Sequence, residues 1–151
     1  MSDSTSVVSM SSFSLSTNPI MTTNFRAGAP MRSLRVFVVD DIPDVADTLA
    51  LLLSARGHHT QVAYGSQEAL ETILEFSPDA AFVDLGMPGK DGFQVAVELR
   101  SMFVNKPLLL VSISGWGSEV IKAKSKASGF DWHLIKPATW PQLEAVLSKV
   151  Q

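Results

Sequence analysis

The sequence feature that most constrains the fold is an alternation, from Leu34 onward, of short apolar runs with segments of helical periodicity. Runs rich in Val, Phe, Leu and Ile and bounded by Gly, Pro or Asp indicate buried β-strands. Between these runs, apolar residues recur about once per helical turn, which is the pattern of an amphipathic helix. Strands that alternate with helices form a parallel sheet covered on both faces. We therefore predict an α/β fold, a (βα)5 three-layer sandwich around a central five-stranded parallel sheet.

The bounds of the predicted elements follow from the same pattern. The predicted strands are residues 34–39, 59–63, 79–83, 108–113 and 131–135. The first helix is expected to bury one apolar stripe, formed by Val45, Leu49, Leu52 and Leu53. The second helix is expected to start with Ser66 as its N-cap and to bury Leu74 among other residues. The first two helices therefore each have a proposed core face.

Composition excludes several classes of protein. Hydrophobic residues make up 46% of the chain, which suits a single globular core, and no apolar stretch approaches the roughly 20 residues of a membrane helix. The sequence has no cysteine, so disulfides, thiolate metal sites and cysteine nucleophiles are excluded. The net charge is −3, and the sequence contains no basic stripe of the kind that binds nucleic acid. We therefore expect neither nucleic-acid nor membrane binding.

The amino-terminal part differs in composition from the rest. Residues 1–33 are dominated by Ser and Thr, carry almost no charge and show no sustained periodicity. That composition is typical of a disordered tail. The segment also lacks the basic start and continuous apolar core of a signal peptide. We predict a disordered tail at 1–33 and a folded domain at 34–151.

Polar groups of complementary chemistry follow the predicted strands. Asp40 and Asp41 follow the first strand, Asp84 the third, Ser114 the fourth and Lys136 the fifth. In a parallel sheet the carboxyl ends of the strands lie at one edge, which is where ligands bind in open α/β folds. One polar residue at a strand end is routine, but carboxylates, a hydroxyl and an ammonium together indicate a site.

The chemistry of this group favours a divalent cation and phosphate. At an effective dielectric of about 20, two carboxylates roughly 5 Å apart repel by about 3 kcal/mol, and a hard cation with oxygen ligands relieves that repulsion. No cluster of His or Cys accompanies the acids, which argues against zinc. A carboxylate such as Asp84 can attack phosphorus and form an aspartyl-phosphate. Mg²⁺ and Lys136 would then neutralise the phosphoryl oxygens, and Ser114 could hydrogen-bond one of them.

These residues, in this order and spacing, resemble the receiver domain of two-component response regulators. The resemblance covers about residues 34–150 and includes the segment 84–92, Asp-Leu-Gly-Met-Pro-Gly-Lys-Asp-Gly. It implies a flavodoxin-like fold and a set of residue roles. The implied roles are phosphoacceptor for Asp84; Mg²⁺ ligand for Asp41, Asp84 and the Gly86 carbonyl, with Asp40 acting through water; phosphate contact for Lys136; and switch hydroxyl for Ser114.

The resemblance also implies a function and partners. It predicts a cytoplasmic signalling switch rather than an enzyme, which accepts phosphate from a histidine kinase or a histidine phosphotransfer protein. Phosphorylation would change the surface of the fourth helix, fifth strand and fifth helix. That surface would bind a downstream protein or a second copy of the chain. Because no second domain follows residue 151 in this sequence, we expect a stand-alone receiver.

Three positions depart from the family pattern. His133 occupies the switch position that more often holds Tyr or Phe, and it could be either a switch residue or an ordinary, partly exposed histidine. Gly86 and Trp116 occupy the positions, two beyond the acceptor and two beyond the switch hydroxyl, whose side chains often assist loss of the phosphate. Neither can orient water as a carboxylate or amide would. We therefore expect slow self-dephosphorylation.

Two other functions remain open at the level of sequence. A hydrolase of the haloacid dehalogenase type also uses an aspartyl-phosphate, but it typically has a second Asp where this chain has Gly86. A receiver-like scaffold that is never phosphorylated is the other alternative, and the complete acid set argues against it. Trp116, Trp132 and Trp140 are expected to pack in the core or at its edge, with a partner surface as the alternative.

Overall fold

The computed structural model describes residues 32–150 and contains five strands and five helices in strict alternation. The predicted tail, residues 1–33, lies outside the described residues apart from its last two. The strands are β1 (Arg35–Val39), β2 (His59–Ala63), β3 (Ala80–Asp84), β4 (Leu109–Ser114) and β5 (Trp132–Ile135). The helices are α1 (Pro43–Ala55), α2 (Ser66–Phe76), α3 (Gly92–Met102), α4 (Glu119–Ser128) and α5 (Trp140–Leu147).

All strand pairs in the sheet are parallel, and the order across it is β2-β1-β3-β4-β5. The predicted α/β sandwich with a central five-stranded parallel sheet is confirmed. β1 and β3 are buried almost throughout, because helices cover both faces of the sheet. The order reverses direction between β1 and β3, the kind of position at which an α/β sheet leaves a crevice for a ligand. Within residues 32–150, no helix is long and apolar enough to cross a membrane.

The helices bury faces that differ in part from the predicted ones. In α1 the buried residues are Ala46, Ala50 and Leu53, whereas Val45 is exposed. The predicted stripe was therefore wrong for Val45, because small alanines allow the helix to approach the sheet closely and turn the larger residues outward. Leu74 of α2 is 55% exposed, so its predicted burial was also wrong.

The carboxyl end of α4 is held by Arg100 of α3. The Arg100 guanidinium donates to the carbonyls of Gly129 and Leu108 at 2.7 and 2.8 Å and pairs with the Asp131 carboxylate at 2.7 Å. The same Asp131 oxygen accepts from the backbone N–H of Leu110 at 2.9 Å. Planar guanidinium groups suit such multiple contacts. Arg100 therefore ties the end of α4 to the starts of β4 and β5.

His58 is buried at the opposite edge of the sheet from the strand carboxyl ends. Its Nδ1 accepts a hydrogen bond from the backbone N–H of Leu34 at 3.1 Å. Its Nε2 is the one buried side-chain polar atom of residues 32–150 that has no hydrogen-bond partner. Burial lowers the pKa of His58 below its ordinary value of 6.5. Protonation of this ring therefore favours the unfolded chain.

This arrangement predicts that acid weakens the fold through His58. Its contribution to the free energy of unfolding is fully present above about pH 6.5 and is lost as the pH falls through the lowered pKa. Urea denaturation at a series of pH values should show this loss in the wild type and a smaller loss in His58→Gln. The matched control is His59→Gln, because His59 is the neighbouring residue and is exposed. An unchanged pH dependence in His58→Gln would contradict the prediction.

Candidate functional site

Three carboxylates meet at the carboxyl edge of the sheet. One oxygen atom from each of Asp40, Asp41 and Asp84 lies within 4.8 Å of the others. Asp40 and Asp84 are only 4% and 7% exposed, and Asp41 is half-buried. The sequence predicted that these acids converge, and the structure brings them together. Only oxygen donors are present in this cluster, which suits a hard divalent cation.

The backbone of the central strands places two of these acids side by side. β1 and β3 pair in register with Val39 opposite Val83, so Asp40 and Asp84 each follow a paired residue. The Asp40 backbone N–H extends the pairing with β2 by donating to the Ala63 carbonyl at 3.2 Å. One oxygen of the Asp40 side chain accepts from the Ile42 N–H at 3.0 Å. The sheet and the start of α1 thus hold the Asp40 carboxylate in place.

Lys136 bridges two of the carboxylates. Its Nζ lies 3.1 Å from Asp40 Oδ2 and 3.3 Å from Asp84 Oδ1. Its backbone N–H donates to the Ser114 carbonyl at 2.8 Å, which fixes the residue directly after β5. Burial alone would lower the pKa of Lys136, but the two carboxylates outweigh burial and raise it. The ammonium is therefore held in its charged form between the acids.

The surroundings of Asp84 disfavour its charged form. Burial raises its pKa above the ordinary value of 3.8, and the charge of Asp40 raises it further. The Gly86 N–H at 3.3 Å and the Lys136 ammonium act in the opposite direction without cancelling the effect. A carboxylate that is poorly stabilised in this way gains from any added positive charge.

The two glycines after Asp84, Gly86 and Gly92, differ in how closely they are packed. A Cβ placed on Gly92 would lie 2.6 Å from the Asp84 carbonyl oxygen, so only glycine allows α3 to start this close to the strand end. Asp91 caps α3 in a reciprocal capping box with Gln94. A Cβ on Gly86 would lie 3.9 Å from Asp84 Oδ1, an ordinary contact distance. The backbone at Gly86 therefore leaves room for a side chain beside the acid.

Ser114 and His133 share one hydrogen-bond acceptor. Ser114, the last residue of β4, is buried, and its hydroxyl donates to the Trp116 carbonyl at 2.7 Å. His133 Nε2 lies 3.0 Å from the same oxygen and 3.4 Å from Ser114 Oγ. His133 Nδ1 lies 2.7 Å from Ser112 Oγ. The imidazole therefore points into the molecule.

Sequence reasoning missed two serines of this network. Ser112 lies inside β4 and is fully buried, and its Oγ is 2.6 Å from Oγ of the buried Ser125 of α4. Side chains two residues apart in a strand point to the same face, so Ser112 and Ser114 share a face. Two serines at that spacing in an otherwise apolar strand are the signal that could have revealed the network.

The tryptophans differ from the expectation of core or edge packing. Trp116 is 65% exposed, so the expectation was wrong for this residue. Trp132 is also exposed, although the Lys149 ammonium lies 5.7 Å from its ring centroid. Trp140 does pack at an edge, half-buried under the Arg56 guanidinium at 4.3 Å. Two aromatic side chains are thus available at the surface near α4 and β5.

A groove opens beside the carboxylates. Its volume is about 590 Å³, and its wall is mainly apolar. It lies between α1 and the residues that follow β5, and its lining includes Asp40 and Lys136. The apolar part of the wall is formed by Val45, Leu49, Leu52, Ile113, Pro137 and Ala138. The outward-turned residues of α1 therefore lead directly to the site.

Comparisons with a family model and with a curated protein sequence both match response regulators. Residues 36–148 match the family described as the response regulator receiver domain. The two-component response regulator PhoP of Pseudomonas aeruginosa is 32% identical over 116 residues, which are 76% of this chain and 50% of PhoP. The chain thus spans about half the length of this curated relative.

Solved structures show the same architecture. The chemotaxis protein CheY4 of Vibrio cholerae has a TM-score of 0.73 at 24% identity, with 80% of this chain and 100% of that chain covered. The receiver domain of the Francisella response regulator 1452 has a TM-score of 0.69 at 26% identity, with 79% and 100% covered. The predicted flavodoxin-like arrangement of strands and helices is shared with both.

The electrostatics of the site predict that Asp84→Asn stabilises the metal-free protein at neutral pH. Because the pKa of Asp84 is raised in the folded state, stability is lost as the pH rises from about 3.8 through the raised value. Removing the charge should abolish this loss, and the advantage should vanish at acidic pH. Urea denaturation with a chelator present measures the effect, with the exposed Asp44→Asn as control. A less stable Asp84→Asn at neutral pH would contradict it.

Proposed function

Because the chain belongs to the family of response regulator receiver domains, we propose that it is a signalling switch phosphorylated on Asp84. The observation that carries this proposal is the Lys136 ammonium, which lies 3.3 Å from Asp84 beside two further carboxylates. Receivers act in signalling as switches rather than as classical enzymes. Burial and the charge of Asp40 raise the pKa of Asp84, which is the last residue of a central strand. Its contact with Lys136 and its place in the family pattern together support Asp84 as the phosphoacceptor.

The carboxylate cluster fits Mg²⁺, which members of this family bind through acidic residues. We assign Asp41, Asp84 and the Gly86 carbonyl as ligands, with Asp40 acting through water. The fit rests on oxygens of three acids that lie within 4.8 Å of one another, while the single Lys136 ammonium contacts only two of these acids. When bound, the cation would neutralise charge on the phosphoryl oxygens. The half-buried position of Asp41 leaves a route from solvent to this cluster.

The transfer step needs little from the protein beyond position and charge. A carboxylate oxygen of Asp84 forms a bond to phosphorus as the bond to the donor's histidine nitrogen breaks, and that nitrogen leaves with the electron pair. The Lys136 ammonium is close enough to pair with the transferred group while it still contacts Asp40. The hydroxyl of Ser114, released from the Trp116 carbonyl, would donate to a phosphoryl oxygen. Ser114 and His133 together form the proposed switch.

The groove beside the site supports a protein as phosphoryl donor. A mainly apolar groove whose lining includes Asp40 and Lys136 suits a helix that presents a phosphohistidine, since the apolar wall would bind the helix and Lys136 would meet the phosphoryl group. A histidine kinase or a histidine phosphotransfer protein carries such a helix. The expected cytoplasmic location stays a prediction.

The output surface is the side formed by α4, β5 and α5. Four exposed apolar side chains occur there or in the loop before α4: Trp116, Val120, Trp132 and Ile135. Clusters of exposed aromatic and aliphatic residues mark protein interfaces. We propose that a downstream protein or a second copy of the chain binds this surface according to the state of Asp84. The loop that contains Trp116 also accepts a hydrogen bond from Ser114. Phosphorylation of Asp84 and binding of the partner would therefore be connected through this loop.

Phosphorylation by a small donor tests the proposed function. Incubation with acetyl phosphate and Mg²⁺ should add one phosphoryl group, seen by intact mass, to the wild type and none to Asp84→Asn. Asp44→Asn is the matched control and should be phosphorylated like the wild type. A stable adduct on Asp84 supports a switch, rapid turnover of the donor supports a hydrolase, and no adduct supports a scaffold.

The geometry at Gly86 predicts how long the phosphate lasts. Neither Gly86 nor Trp116 supplies a group that orients water, so the adduct should persist for far longer than seconds. Gly86→Asn would place an amide beside Asp84, and we expect it to speed loss of the phosphate about tenfold. The decay of the adduct after donor removal measures this, with Gly86→Ala as control. Wild-type decay within seconds would contradict the expectation.

A further inference from the structure

A chain of hydrogen bonds connects helix α4 to the loop after β4. It begins at Ser125 of α4, whose Oγ lies 2.6 Å from Oγ of Ser112, and continues over 2.7 Å to His133 Nδ1. It ends where His133 Nε2 meets the Trp116 carbonyl at 3.0 Å. Ser112 and Ser125 are at most 1% exposed, so neither hydroxyl can turn to solvent.

The direction of each hydrogen bond follows from the chemistry of the groups. The Trp116 carbonyl can only accept, so His133 Nε2 must carry the proton and donate. In the neutral imidazole Nδ1 is then an acceptor, and the Ser112 hydroxyl must donate to it. Ser112 Oγ is left to accept from Ser125. All three bonds therefore run the same way, from α4 towards the loop.

Rotation of the ring outward would break this chain at a buried point. The Ser112 hydroxyl would lose Nδ1 as its acceptor, and it would have to turn to the Trp132 carbonyl at 3.3 Å or reverse its hydrogen bond with Ser125. The Trp116 carbonyl would keep only the Ser114 hydroxyl. A buried hydroxyl such as that of Ser112 costs free energy when it loses a partner of good geometry. The inward ring is thus supported from both of its nitrogens.

We propose that Ser112 and Ser125 are positioning residues that hold the His133 imidazole inward as a fixed hydrogen-bond donor to the Trp116 carbonyl. The ring stays inward in the resting protein and also in the phosphorylated protein. The statement about the phosphorylated protein rests on the proposed function. When the Ser114 hydroxyl leaves the Trp116 carbonyl for a phosphoryl oxygen, His133 still satisfies that carbonyl. The movement at the switch is then that of the Ser114 hydroxyl, without a swing of the ring.

Chemical modification of histidine measures the position of the ring in the intact chain. Diethyl pyrocarbonate acylates accessible imidazole nitrogens, and mass spectrometry of peptides reports each histidine separately. The exposed His59 serves as an internal reference. At about pH 8, where an ordinary imidazole is neutral, His133 should react much more slowly than His59. Ser112→Ala should raise the His133 rate about tenfold, the factor that loss of one hydrogen bond corresponds to.

Further variants separate a positioning role from general loosening of the fold. Ser125→Ala should raise the His133 rate in the same direction, and Ser112→Thr, which keeps the hydroxyl, should restore protection. Ser128→Ala is the matched control, because this α4 hydroxyl donates to the Lys124 carbonyl within the helix. It should leave the His133 rate unchanged. The buried His58 reports unfolding, since its rate should stay low in every folded variant.

Two results in the resting protein would overturn the inference. One is a His133 in the wild type that reacts as fast as His59; the other is a Ser112→Ala rate that equals the wild-type rate. Addition of beryllofluoride and Mg²⁺, a phosphoryl mimic, should leave His133 protected, and deprotection of the ring would also count against it. Failure of beryllofluoride to bind, seen as no change in the stability of the protein, would instead count against the proposed function. The rates of His133 modification without beryllofluoride would still decide the role of Ser112.

Discussion

The site depends on one electrostatic constraint: three carboxylates lie close together, and a single ammonium contacts two of them. Lys136 contacts Asp40 and Asp84 at once, and the pKa of Asp84 is still raised. One positive charge thus leaves the cluster short of compensation. A cluster in that state favours a divalent cation and, with it, a phosphoryl group. Affinity for the ligands and strain in the resting protein therefore have the same origin.

The signal would travel from this cluster to α4 by short steps. The backbone N–H of Lys136 donates to the Ser114 carbonyl, and the Ser114 hydroxyl donates to the loop before α4. At its other end α4 is held by Arg100 through the Gly129 carbonyl. The amino end of α4 follows the loop that the Ser114 hydroxyl contacts, so a change at Ser114 would first reach the exposed surface near Trp116.

Much of the fold and most of the site were predictable, and the errors share a cause. The strand bounds were correct to within one residue at most ends, because apolar runs and turn residues are local signals. The buried face of α1 was wrong for Val45, since it depends on how closely Ala46 and Ala50 approach the sheet. Trp116 was expected to pack and is exposed. Burial of a large residue depends on neighbours far away in the sequence.

The sequence by itself determined which groups meet: parallel strands end at a common edge, so residues that follow them are brought together whatever the details of packing. Asp40, Asp84 and Lys136 could be placed in one pocket for that reason. Only the tertiary structure decided how His133 faces, because its ring is oriented by Ser112 and by Ser125 of a different element. A hydrogen bond between side chains depends on distances of tenths of an ångström, and these distances are set by packing rather than by local sequence.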